Sequence, residues 1–320
     1  MAMDPTASPI VIAGSPTALG GHFAGMERAP GALRDLGLAA HLEATSSLAG
    51  VDWRDAGDPR NDPGWAADPD PRAKNRALIS AYLPALADHV ADALTTAGPA
   101  ARLLLLGGDC TSHAGAVAGI RRARPEIRLG LVWFDAHGDF NTPDTTPSGN
   151  VWGMPFAMLC GRGDPDLLAA CDAPSVREEH AALAGGQVLD ETESRHLAAS
   201  PVAQFGAGML GTDAGMAAFT AWARTVAEHV DGWYIAFDLD AIDAAEGLAV
   251  AMPESGGLSV QDATTAVGIV AATGPVVGLG ATAAMFRDED RGGTAERTVR
   301  AIAALTAAAL GSAPADDHHR

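Results

Sequence analysis

An apolar run, "LGLVWF" (129–134), stops at three chelating groups on every second residue: Asp135, His137 and Asp139. A second run, "GWYIAF" (232–237), stops at Asp238 and Asp240, with Asp243 three residues on, and a third ends in "GGDC" (107–110), bringing Asp109 and Cys110. In an extended segment alternate side chains point to one side, so Asp135, His137 and Asp139 can project together, as can Asp238 and Asp240. Four or five carboxylates converging without cations repel one another and resist ionisation. A pair of divalent metal ions removes that cost, and mixed carboxylate and imidazole donors suit Mn²⁺, Fe²⁺, Co²⁺ or Zn²⁺. Two such ions can share a hydroxide at neutral pH and polarise a substrate. A lone Asp-x-His is more often a cap or a hydrogen bond at the edge of the core. The reading here rests on three polar strand ends in one chain.

These groups need strand ends that meet. "PIVIAG" (9–14), "RLLLLGG" (102–108), "RLGLVWFDAH" (128–137), "VAQFGAG" (202–208), "GWYIAFDLD" (232–240) and "GPVVGLG" (274–280) read as strands. Each is apolar throughout, as parallel strands covered on both faces are. Helices are expected near 30–42, 74–97, 111–124, 214–230, 258–272 and 293–311. The alternation implies a doubly wound, mostly parallel sheet, whose ligands bind at the carboxyl ends of the strands. Residues 52–73 read as a long surface loop, 141–153 as an ordered functional loop and 312–320 as a frayed tail. No interdomain linker stands out, so residues 1–320 are expected to form one domain.

Composition narrows the functions. The 320 residues carry a formal charge of −19, which argues against nucleic acid, since phosphate binding needs clustered Lys and Arg. A cationic small molecule would be steered favourably. The cysteines Cys110, Cys160 and Cys171 do not read as a disulfide framework. No apolar run is long enough for a membrane span, and the N-terminus lacks the features of a signal peptide, so a cytoplasmic location is expected.

The motifs together resemble those of the ureohydrolase family, which includes arginase, agmatinase and formiminoglutamase. The family patterns GGDH, DAHxDxN…SGNxHGxP, DxDxxDP and a GGL turn correspond to "GGDC" (107–110), "DAHGDFNTPDTTPSGNVWGMP" (135–155), "DLDAIDAAEG" (238–247) and "PESGGLS" (253–259). "GMERAPGALRDLGL" (25–38) is similar to the family's opening helix. The resemblance implies a three-layer α/β/α sandwich and a dimanganese centre whose bridging hydroxide hydrolyses a guanidinium C–N bond. It implies that Asp135 and Asp238 bridge the metals, that Asp139 binds one, and that His137 and Asp240 bind the other. A trimer or hexamer is implied as well.

Three departures matter. Cys110 stands where the family has a metal-binding histidine: it is either a thiolate ligand, favouring Zn²⁺ over Mn²⁺, or a small buried residue that leaves one ion weak. His113, one helical turn on, could compensate, although a helix residue there is expected to cap or to face solvent. Trp152 replaces a proton-shuttling histidine, so the catalytic positions hold Asp139 and Trp152. An indole moves no proton at neutral pH; it can stack on a planar cation or fill the loop core. "GLGATAAMF" (278–286) lacks the glutamate that pairs with the guanidinium, and Ala244 replaces the DxDxxDP proline. Asn141, Thr146, Ser148 and Asn150 match the loop residues that hold the amino-acid end of the substrate in arginases, although such residues also simply make turns. The expected activity is therefore hydrolysis of an amino-acid-like guanidino or amidino compound, including N-modified arginine derivatives. Formiminoglutamase-like chemistry and a weakened, ligand-binding or regulatory paralogue are the alternatives.

Overall fold

The computed structural model describes residues 8–59, 67–287 and 293–311. Eight strands form one sheet: β1 (Ile10–Ser15), β2 (Trp53–Gly57), β3 (Arg102–Gly107), β4 (Leu129–Asp135), β5 (Val176–Gly185), β6 (Ala203–Gly206), β7 (Gly232–Asp238) and β8 (Val276–Thr282). Their order is β2-β1-β3-β8-β7-β4-β5-β6, and every neighbouring pair is parallel. The helices are α1 (Ala29–Asp35), α2 (Leu38–Glu43), α3 (Arg76–Ala97), α4 (Thr111–Ala123), α5 (Pro155–Leu159), α6 (Pro165–Ala170), α7 (Glu191–Ala198), α8 (Ala207–Leu210), α9 (Asp213–Ala227), α10 (Val260–Thr273) and α11 (Thr294–Leu310).

Alternation along the strands builds two cores. Ile10, Leu104, Val132, Phe134, Ile235 and Phe237 face one layer, with Leu33 of α1, Phe219 of α9, Val267 of α10 and Ile302 of α11. Val11, Leu103, Leu105, Leu131, Trp133 and Tyr234 face the other, with Leu86 of α3, Val117 of α4 and Phe156 of α5. The product is the expected three-layer α/β/α sandwich. A central strand buried on both faces must be apolar at every position, which is why β4 and β7 are continuous apolar runs.

The elements that differ from expectation have physical causes. Residues 53–57, expected in a surface loop, form edge strand β2 on β1; its polar, part-exposed side chains hide it from a hydrophobicity pattern. β5 escapes for a related reason. Its first half carries Arg177, Glu178, Glu179 and His180, and only Ala181–Gly185 is fully buried. The helix expected over 30–42 breaks into α1 and α2 at Gly37, whose φ of 77° lies in the left-handed region. The short helices α5 to α8 were not expected. The expected tail, 312–320, lies outside the described residues, as do residues 60–66 of the expected loop.

Candidate metal centre and substrate cavity

The central order β3-β8-β7-β4 sets the carboxyl ends of four strands side by side, and three of them bear the polar groups. Phe134 pairs with Phe237, so β4 and β7 end level and deliver Asp135 and Asp238 to the same place. Asp135 accepts from Trp133 Nε1 at 3.0 Å, from the His137 amide at 2.7 Å and faces His137 Nδ1 at 3.2 Å. Asp240 faces the same Nδ1 at 3.3 Å and accepts the Ala136 amide at 3.2 Å. Asp238 accepts the Asp240 amide at 3.2 Å and the Cys110 thiol at 2.7 Å. Two groups of donors result, Cys110 with Asp135 and Asp238, and Asp135 with His137 and Asp240; within each the donor atoms lie within 4.8 Å of one another. Asp135 belongs to both.

The electrostatics are those of a cluster short of positive charge. Burial, then the neighbouring Asp135, pushes Asp139 well above its usual range; burial, then Asp240 and Asp135, does the same to Asp238. Burial and Asp135 lift Asp240 to about 6. Burial opposes the charged form of His137, yet Asp135 and Asp240 outweigh it and raise the imidazole to about 12. Burial also raises Asp135, but His137 more than offsets that and holds it below its ordinary value. Asp139 adds a further sign. It has φ +47°, a strained left-handed conformation for a non-glycine residue, and its buried Oδ2 has no hydrogen-bond partner among the described residues. His137 Nε2 is likewise without one and lies 3.9 Å from Glu254. A buried, unpaired carboxylate oxygen beside excess negative charge is what a divalent cation satisfies, so the donor set fits a metal pair.

A cavity of about 280 Å³ opens onto this cluster, bounded by Cys110, His137, Asp139, Asp238 and Asp240. Asn141, Thr146, Ser148, Asn150 and Trp152 line the same cavity, so every site residue expected from the sequence is gathered except Asp135, which lies buried directly beneath. The loop is braced internally: Thr145 donates to Asn141 Oδ1 at 2.9 Å, and Thr146 Oγ1 accepts the Gly149 amide at 3.0 Å. Trp152 both faces the cavity and packs. Its ring lies edge-on to His22 and Phe23, with centroids at 5.2 and 5.4 Å. It also covers Gly21, where a Cβ would come within 2.3 Å of the indole.

Some expectations are corrected. His113 neither caps nor meets solvent: it is buried, with Nδ1 2.9 Å from the Tyr234 hydroxyl and Nε2 3.0 Å from Thr282 Oγ1. Both nitrogens are engaged away from the cavity, so it does not replace the missing histidine. Asp109 also turns away, accepting the Gly20 amide at 2.8 Å and the Thr111 amide at 2.9 Å. Asp243 instead anchors the "GGL" turn, accepting from Gly256 and Gly257 at 2.7 and 3.1 Å.

Other cavity residues escaped sequence reasoning. Asp190 and Glu193 form the capping box of α7 and accept from Asn141 Nδ2 at 3.0 and 3.3 Å. Burial, and behind it Asp190 and Asp135, raises Glu193 to about 7. The D-x-x-E spacing before a helix was the available signal, but it speaks only of capping. Lys74 donates to Asn150 Oδ1 at 3.0 Å, which turns the Asn150 amide nitrogen toward His22 Nδ1 at 3.1 Å. Met26, Val188, Ala251, Met252 and Ala283 complete the walls.

A sequence model of the Arginase family matches residues 8–310. The chain belongs to the arginase family. It is 32% identical over 274 residues to the arginase of Bacillus caldovelox, covering 82% of this chain and 86% of that protein. The solved structure of arginase from Bacillus caldovelox superposes with a TM-score of 0.81 at 27% identity, covering 96% of this chain and 99% of the other. That of Bacillus cereus arginase gives a TM-score of 0.80 at 26% identity, with coverages of 96% and 99%. Membership in this family makes the chain a hydrolase of the type that acts on guanidino compounds.

Proposed function

We propose that this arginase-family chain hydrolyses a C–N bond of an amino-acid-like guanidino or amidino compound whose reacting group is less basic than that of arginine. The observation that carries the reading is the division of one cavity. Its floor is the cluster of His137, Asp139, Asp238 and Asp240 over buried Asp135, the loop side is polar, and around Trp152 the lining is Met26, Ala251 and Ala283 with the imidazole of His22 and no carboxylate.

The five cluster residues would hold two divalent ions, Mn²⁺ above all by family habit. When bound, such a pair generates a nucleophile from water at neutral pH and neutralises charge developing on a trigonal carbon. The protein does the rest. Thr146 and Ser148 offer hydroxyls and Asn150 an amide nitrogen to an α-carboxylate, while Asn141, whose amide is committed to Asp190, Glu193 and Thr145, sets the place of the Asp190 and Glu193 carboxylates that an α-amine would meet. Trp152 presents a flat face against a planar amidine but moves no proton. Ala283 supplies no carboxylate, so a fully cationic guanidinium would lack the bidentate partner that such groups normally find. A less basic group, such as an N-hydroxylated or otherwise N-modified guanidine, loses less from that absence.

The test is a product assay on Mn²⁺-loaded protein with arginine, N-hydroxyarginine, agmatine and formiminoglutamate, reading urea, ammonia and amine. Faster turnover of N-hydroxyarginine than of arginine, and almost none of agmatine, is expected. Asp135→Asn and Asp238→Asn, checked for native folding, should each reduce turnover by about a hundredfold or more, the scale set by losing transition-state charge stabilisation. Unchanged rates in both variants would refute the mechanism.

A further inference from the structure

Cys110 raises a question the family pattern does not answer. It precedes the first residue of α4, three residues beyond β3, and is buried, and its Sγ is directed into the carboxylates, 2.7 Å from Asp238 Oδ2. Its sulfur and donor oxygens of Asp135 and Asp238 form a group within 4.8 Å. Asp139, 4% exposed, borders the same cavity with an Oδ2 that no group among the described residues satisfies. The nearby imidazole of His113 is held by Tyr234 and Thr282 and is not available. This half of the cluster thus offers one sulfur and only carboxylates besides, whereas the other half offers the imidazole of His137 with Asp240.

We propose that Cys110 is a metal ligand, and that the half-site of Cys110, Asp135, Asp139 and Asp238 selects a thiophilic divalent ion, so that the protein carries a mixed pair rather than two Mn²⁺. The proposal rests on the reading of the cluster as a metal centre. Thiolate prefers Zn²⁺ and Co²⁺ to Mn²⁺, while imidazole and carboxylate accept Mn²⁺ readily, so the two halves differ in the ion they favour. On binding, the S–H bond breaks, a sulfur–metal bond forms and the proton leaves to water.

Co²⁺ serves as the probe. The full chain is stripped with chelator and titrated with Co²⁺, reading near-ultraviolet thiolate-to-cobalt charge-transfer absorption and ions bound per chain. A charge-transfer band in the parent protein is expected, and it should persist in Cys160→Ala and Cys171→Ala. Cys110→Ser should abolish the band and weaken one of the two ions by at least about tenfold, as losing a ligand costs no less than losing its supporting partner. Cys110→His should restore two ions without the band and shift preference toward Mn²⁺. Bound Co²⁺ with no band, or a band that survives in Cys110→Ser, would overturn this proposal and leave the metal centre standing. No binding of Co²⁺, Zn²⁺ or Mn²⁺ would overturn the metal centre, and the proposed function with it.

Discussion

His137 shows how much of a site resides in a single ring. Nδ1 turns inward between Asp135 and Asp240, and Nε2 points outward to Glu254 at 3.9 Å. At that distance the pair makes no hydrogen bond; an outer carboxylate that closes onto a ligating histidine fixes its ring and tautomer, and removing such a partner typically weakens metal binding by about 10–100-fold. Glu254→Gln should therefore weaken Mn²⁺ binding on that scale in a calorimetric titration while the chain stays folded. Affinity equal to that of the parent protein would mean that Glu254 plays no part in orienting the ring. At this scale the sequence was highly legible. Asp135, His137 and Asp139 lie within five residues, and Asp238 and Asp240 within three, and this short spacing keeps each set together; strand alternation does not, because only Asp135 and Asp238 are on strands, while His137 and Asp139 lie in the bend after β4 and Asp240 in a 3₁₀ turn. Glu193 was not legible, because it meets Asn141 from 52 residues away and no local pattern records that meeting.

Among the elements, the turn after β4 carries a tight constraint. A Cβ at Gly138 would fall 2.5 Å from the carboxyl carbon of Glu193, so the Glu193 carboxylate reaches the turn as it does because residue 138 is glycine. That approach lets Glu193 accept the Phe140 amide at 2.9 Å and closes the cavity wall. Gly138→Ala should cost about 1–3 kcal/mol, the usual penalty of overpacking a tight site. Denaturant unfolding would measure it, and a loss below about 0.5 kcal/mol would show that the Glu193 side chain swings aside freely. The central strands were readable because burial on both faces demands continuous apolar side chains. β2 and the first half of β5 lie toward the edges, where one face meets solvent or charge and the pattern fades.

For the molecule as a whole, the buried acids make stability depend on pH in a definite direction. Glu193 is raised to about 7 and Asp240 to about 6, with Asp139 and Asp238 displaced the same way. An acid whose pKa is higher folded than unfolded stabilises the fold while it keeps its proton, and that contribution is lost as pH rises from about 4 through the folded value. His137, raised to about 12, adds a loss of the same sign that begins near its unfolded value of about 6.5. Chelator-treated protein should therefore melt at lower temperature at pH 8 than at pH 5.5. Mn²⁺ should reverse the trend, because it binds the deprotonated groups and stabilises in proportion to occupancy, by about 2.7 kcal/mol at a hundredfold excess over Kd. Thermal melts at the two pH values, with and without Mn²⁺, decide the matter. A metal-free protein equally stable at both would mean that the acids do not behave as buried, like-charged neighbours.

The division of the cavity has a consequence for how such a protein can change. The side chains proposed to hold the ions sit at the ends of β4 and β7 or in the first few residues beyond β3, β4 and β7. The groups that would discriminate among substrates, Trp152, Ser148, Asn150 and Ala283, sit beyond the strands in connecting segments. Selectivity can therefore change at positions that hold no proposed ligand, even where, as between β4 and α5, one segment carries both kinds of residue. A lineage, or a mutant library confined to those four positions, can explore new substrates without replacing the groups proposed to activate water.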